Sequence, residues 1–200
     1  ALKGLLQIRL QQGDIKGALT PLEKLAQLNP QQIDYQILLA QTKQHLEDYE
    51  ASARIYRNIL TNDAGNIKAL NGLVNLYLAQ NLPEGAIALL QETLKTTNSA
   101  NTQKTQQIDL TSVQLILGQV YVQQARYTEA IAVYDQAIEN NKTDFRPVLA
   151  KAFVFQRQGK NEEAKPLFTS AMSLAPAKYK DQIKQMALQP TTAKTQKLQN

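Results

Sequence analysis

The stretch Leu117–Ile138, LGQVYVQQARYTEAIAVYDQAI, decides how this chain folds. Gly118, Ala130 and Ala137 stand at helical spacing among Tyr121, Tyr127 and Tyr134. Small residues set among rings in this way predict two helices whose backbones approach closely, with the rings filling the space alongside. One such stretch proves little, so recurrence is the test.

The pattern recurs along the chain. Ala18, Ser52, Ala86, Ala130 and Ala164 are separated by steps of 34, 34, 44 and 34 residues. Four residues after each comes a large side chain: Leu22, Tyr56, Leu90, Tyr134 and Phe168. Leu6, Ala40, Val74, Gly118 and Ala152 keep register in the helix before. QQGDIKGA, QHLEDYEAS, AQNLPEGA, QQARYTEA and RQGKNEEA mark the turn inside each pair, and Pro30 and Pro176 stop the second helix of the first and fifth copies.

Two helices per step of 34, with this alternation of small and large residues, resemble the tetratricopeptide repeat. The fourth copy matches best, through Leu117, Gly118, Tyr121, Tyr127, Ala130, Tyr134 and Ala137. The fifth keeps Ala152, Gly159, Ala164, Phe168, Ala171 and Pro176 but has Lys151 at an apolar position. The second departs most, with Ser52 for Ala and Ala64 for Pro, and the first lacks its opening positions. The resemblance implies an all-α chain, a right-handed α-solenoid of five TPR helix pairs plus a C-terminal capping helix. The repeats fall at about 1–32, 33–66, 67–100, 111–144 and 145–178 within a domain spanning 1–189. Each pair exposes an apolar stripe that it buries only by stacking on its neighbours.

The step of 44 marks an insertion at about 98–110, polar and read as a surface loop, in part a lengthened helix. Tyr179, Ile183, Met186 and Ala187 share one face of a short amphipathic helix at about 177–189, which resembles a terminal cap. Residues 190–200 have little to bury and are expected to be a disordered basic tail.

Composition narrows the function. The chain has no Cys, a single His and no Trp, so it has no disulfide framework, no thiolate chemistry and no ordinary His/Cys metal site. No apolar run is long enough to span a membrane. The chain begins at Ala1 inside helical sequence, which leads us to expect further residues upstream and a domain tethered through them. Most of the net charge of +5 lies in residues 177–200, where five Lys face only Asp181. The body is thus nearly neutral, which argues against nucleic acid as partner. No Gly-rich phosphate loop and no catalytic constellation stand out, so we expect no cofactor and no enzyme. The acids Glu47, Asp48, Glu162 and Glu163 sit at inter-helix turns or the start of second helices, where the helix dipole favours negative charge. Asn141-Lys142-Thr143 is a glycosylation sequon by pattern only. The paired tyrosines Tyr77 and Tyr121, Tyr49 and Tyr127, and Tyr56 and Tyr134 recur with the repeat and are assigned to packing.

Function is therefore expected on a surface. In the family, the first helices line a concave groove that binds peptides or protein segments. That face maps here to Ile37, Gln41 and His45, to Lys68, Asn71 and Asn75, to Leu115 and Gln119, and to Arg146, Leu149 and Phe153. Lys3, Gln7, Gln11, Asp34, Leu78, Ser112, Val122 and Arg157 continue it. Amides donate and accept hydrogen bonds, which suits the backbone of a bound segment. Asn71 and Asn75 are the sharpest signal, because Asn is a poor helix former and two mid-helix copies ask for a reason. The family's clamp for acidic C-terminal tails is absent: Lys3 fits its first position, but Gln7, Leu38 and Gly72 stand where two Asn and a basic residue are needed.

The expectation is a non-enzymatic interaction module, a scaffold or assembly factor for a protein partner. The rivals are a self-assembling structural protein and, more remotely, an RNA-binding helical array. DFRPVLAKAFVFQRQGKNEEAKPLF and the abundance of Gln also resemble repeat proteins of cyanobacteria and plastids, some of which assist assembly of membrane or photosynthetic complexes.

Overall fold

The structure, a computed structural model, describes residues 1–99 and 108–188. The described residues form eleven helices and no strand. They are α1 (Leu2–Gln11), α2 (Ile15–Leu28), α3 (Ile33–His45), α4 (Tyr49–Asn62), α5 (Ile67–Ala79) and α6 (Pro83–Ser99). After these come α7 (Leu110–Gln123), α8 (Tyr127–Asn140), α9 (Phe145–Arg157), α10 (Asn161–Leu174) and α11 (Ala177–Leu188). The chain divides into two compact units, Ala1–Asp109 and Leu110–Asn200.

Within the first unit each helix packs on the next, from α1 to α6, and the first helices α3 and α5 also touch. The second unit repeats this from α7 to α11, with α7 beside α9. The crossing residues Ala18, Ser52, Ala86, Ala130 and Ala164 are all buried, as are the large residues one turn on. The same holds for Leu6, Ala40, Val74, Gly118 and Ala152 in the first helices. Small side chains at the crossings let the backbones close up, and the large ones fill the adjacent holes.

Two departures from the family pattern have local reasons. The Ser52 hydroxyl donates to the Ala40 carbonyl of α3 at 2.8 Å, so this polar residue is satisfied inside the crossing. Lys151 keeps its stem covered and reaches Asp135 of α8, Nζ to Oδ1 2.5 Å, while its ammonium also lies over the Phe155 ring.

The turns inside the pairs share a backbone conformation. Gly13, Glu47, Asn81, Ala125 and Gly159 occupy one register, and all five have positive φ, from 56° to 76°. The left-handed residue reverses the chain into the second helix. Asp14 and Asp48 then cap α2 and α4, accepting from the Gly17 and Ala51 amides. Of the acids placed at the turn or helix start, Glu47 is this left-handed turn residue and Asp48 is the cap.

α6 has 17 residues against 14 in α2, α4, α8 and α10, so the helix enters the expected insertion, and α7 begins at Leu110. Residues 100–107 of the insertion, and the segment 190–200 expected to be a disordered tail, lie outside the described residues. α11 seats Ile183 in a core with Ala152, Ala164, Phe168 and Ala175, and Tyr179 meets the Phe145 ring at 5.5 Å between centroids.

Candidate functional site

In the first unit the mapped face runs along α3 and α5. Gln41, His45, Asn71 and Asn75 are exposed on these helices. Ile37 is mostly buried, packed in the core with Ala40, Tyr56 and Leu73, and only its edge reaches a surface cavity. That cavity, about 870 Å³, lies at the N-terminal ends of α3 and α5 among Ile33, Tyr35, Asn66 and Ile67. A second, of about 440 Å³, lies between α1 and Tyr35 and includes Lys3, Gln7 and Gln11. Lys3 sits over the Tyr35 ring, 5.8 Å from its centroid.

Two of the expected groove cations have partners. Lys68 Nζ meets Asp34 Oδ1 at 2.9 Å, and Arg146 Nη1 donates to Ser112 Oγ at 3.1 Å. Each link joins the same register of adjacent first helices, 34 residues apart. Arg146 also forks onto Asp144, the N-cap of α9, with Nη2 to Oδ2 at 2.6 Å. Lys68 and Asp34 are well exposed, so their pair contributes little energy.

The second unit gathers its mapped residues more tightly. Leu115, Gln119 and Val122 of α7 face Phe153 and Arg157 of α9 across a cavity of about 270 Å³ with Tyr134 of α8 among its walls. The Tyr134 ring lies against Gly118, where any β-carbon would collide with it. Phe153 is held edge-on by Phe168 of α10, with centroids 5.3 Å apart and planes at 84°. Burial pushes the Tyr134 hydroxyl up to about 12, so it remains a neutral donor across ordinary pH. Leu149 is half-buried on α9 and does not line this cavity, and neither does Arg146.

These helix pairs, with a small residue under a ring at each crossing, can be set beside known proteins. The tetratricopeptide repeat family profile matches residues 44–104, and a second TPR repeat profile matches residues 118–159. The chain belongs to the tetratricopeptide repeat family.

Tetratricopeptide repeat proteins of known structure share the fold. The Thermus thermophilus protein TTC0263 superposes with a TM-score of 0.59 at 18% identity, over 94% of this chain and 97% of that one. Yeast Tom70 gives 0.62 at 16% identity, over 91% of this chain and 37% of that one. The Arabidopsis thaliana protein SLOW GREEN 1, chloroplastic, is 27% identical over 178 residues, covering 89% of this chain. The chain spans about half the length of this curated relative, 55%.

Membership of the tetratricopeptide repeat family points to a protein–protein interaction scaffold, and such repeats are generally non-catalytic. Among the described residues no helix is long and apolar enough to cross a membrane, and no group of His, Asp and Glu is arranged to hold a metal ion. Gly72, at a position where the family's acidic-tail clamp has a base, instead backs the buried Tyr56 ring. The α7–α9 cavity is legible in the sequence only in part. Register maps Leu115, Gln119 and Phe153, whereas the recurrence of Tyr134 points to packing. A second-helix tyrosine is seen at this face only once Gly118 has let its ring through.

Proposed function

We propose that this tetratricopeptide repeat protein holds an extended or helical segment of a protein partner on the faces of its first helices. The observation that carries the reading is the α7–α9 cavity, where Leu115, Gln119 and Phe153, mapped from sequence alone, converge on one concavity with Tyr134 among its walls. Exposed amides on α3 and α5, Gln41, Asn71 and Asn75, supply hydrogen-bonding groups to a segment lying on the first unit. The curated relative is a chloroplastic protein, and we extend the reading to a scaffold or assembly role in a plastid or cyanobacterial setting.

Site-specific photo-cross-linking tests the binding face. A cross-linkable residue replacing Gln119 or Asn75, on first helices, is compared with one replacing Gln136 or Arg57, on exposed positions of second helices. The expected outcome is partner adducts from the first pair alone. Adducts from the second pair alone, or equally from both, would move the binding role off the first helices.

A further inference from the structure

The α7–α9 cavity has a chemistry more specific than a general peptide groove. Its walls are apolar at Leu115, Val122 and Phe153, and among the described residues the one charged side chain that lines it is Arg157. Among the described residues no carboxylate pairs with Arg157, which stays exposed at the cavity. This sets it apart from its neighbours. Arg146 is bound to Asp144, Lys151 to Asp135 and Lys165 to Glu162, while Lys160 lies over the Phe155 ring. The Tyr134 hydroxyl likewise has no hydrogen-bond partner among the described residues.

The cavity is also pre-shaped. Phe153 is fixed by Phe168, and the Tyr134 ring is fixed by Gly118, so neither wall needs ordering when a ligand enters. A volume of about 270 Å³ suits one large side chain rather than a whole cofactor.

We propose that this cavity receives a bulky apolar side chain of a partner segment, and that a carboxylate within two residues of that anchor pairs with Arg157. Apolar burial supplies most of the affinity. Arg157 supplies selection, because an approaching acid gains a partner while an approaching base meets an unneutralised guanidinium. The Gln119 amide and the Tyr134 hydroxyl donate to the segment's carbonyl or carboxylate oxygens. This inference rests on the first-helix binding reading and narrows its partner to an acidic-apolar motif.

The test uses the full chain and a displayed library of random twelve-residue peptides. Selected peptides are synthesised and titrated against wild type, Arg157→Gln and Val122→Trp, the last designed to fill the cavity. Thermal melts confirm that each variant is folded, and Gln119→Ala replaces Val122→Trp if that variant is not. The expected result is enrichment of a large apolar residue with Asp or Glu within two positions. Arg157→Gln should weaken binding by up to about fivefold, the most an exposed ion pair supports. It should leave no further loss when the peptide's acid is changed to its amide. Val122→Trp should weaken binding by about tenfold or more, as loss of a buried anchor does. Peptides that need the cavity but carry no acid, and are indifferent to Arg157→Gln, overturn the carboxylate inference and leave the binding face standing. Peptides unaffected by cavity filling, or no enrichment at all, overturn both.

Discussion

Gly118 of α7 lies directly under the ring of Tyr134 of α8, so close that a β-carbon at Gly118 would overlap Tyr134 Cε1 and Cζ. Gly72 of α5 stands as close to the ring of Tyr56 of α4, but across the junction between two pairs. A glycine costs a helix interior about 1 kcal/mol relative to alanine, so its presence here is explained by the ring. Gly118→Ala should therefore lower stability, by roughly 1–3 kcal/mol, because overpacking outweighs the helix gain. Gly4→Ala, on an exposed stretch of α1 with open space around it, should raise stability by up to about 1 kcal/mol. Denaturant unfolding of the two variants checks the contrast, and equal shifts would show that the close approach is not what selects Gly118.

The five pair-internal turns give a second prediction. Ala125 carries φ 56° at the register where Gly13 and Gly159 stand. The left-handed conformation costs an L-residue about 1–2 kcal/mol, partly offset by the greater freedom of an unfolded glycine. Ala125→Gly should raise the unfolding free energy by up to about 1 kcal/mol, and Gly159→Ala should lower it by a similar amount. Both are read from urea midpoints at constant m-value.

Much of the fold was legible in the sequence because the crossing positions are fixed in both spacing and size. Ala18, Ser52, Ala86, Ala130 and Ala164 announce themselves by register, and each is buried. The turns were legible as turns but not as conformations. Gly, Glu, Asn, Ala and Gly share one backbone state and no side-chain chemistry, so composition hides the repeat there. Tyr56 and Tyr134 look equivalent in sequence yet pack differently. α3 has the β-carbon of Ala40 where α7 has Gly118, and the Tyr56 ring lies against Gly72 of the following pair. The candidate site was less legible. Register finds which residues face outward, but not that Lys68 and Arg146 would engage Asp34, Ser112 and Asp144, nor that Arg157 would meet no carboxylate among the described residues. Pro21 and Pro166 lie inside α2 and α10, where a proline ordinarily interrupts a helix, so local residue type points away from the helix that register places there.

Alkaline pH should weaken the protein through two of its buried tyrosines, Tyr56 and Tyr134. Burial pushes Tyr56 and Tyr134 from 10.0 to about 12. The unfolded chain thus releases these protons first. The stabilisation is complete below about pH 10 and is lost as pH rises towards about 12, by roughly 2–3 kcal/mol per tyrosine over the whole window. Tyr56→Phe should flatten part of this loss. Among the described residues the buried Tyr56 hydroxyl also has no hydrogen-bond partner, so its removal should leave stability at neutral pH unchanged or raise it by about 1 kcal/mol. Unfolding curves of wild type and Tyr56→Phe from neutral to strongly alkaline pH test both parts. An alkaline loss identical in the two proteins would place the titration elsewhere.

The last prediction concerns what holds a partner on α3 and α5. Asn71 and Asn75 are exposed, one turn apart, and neither is engaged by another described residue. Lys68, the cation of that stretch, is paired with Asp34. Binding carried by amides and apolar side chains should depend only mildly on salt. Binding carried by many phosphate contacts falls by roughly a thousandfold or more between low and moderate salt. Asn71→Ala combined with Asn75→Ala removes both amides from the face while favouring the helix by up to about 0.7 kcal/mol per site. The double variant should therefore bind a captured partner more weakly while melting at the same temperature or higher. Because stability and binding move in opposite directions, loss of binding cannot be attributed to unfolding. Titrations at several salt concentrations against wild type and the double variant decide the matter. A steep salt slope with an indifferent double variant would transfer binding to the lysines of the C-terminal end, Lys178, Lys180 and Lys184 among them, and remove the role argued here for the first-helix amides.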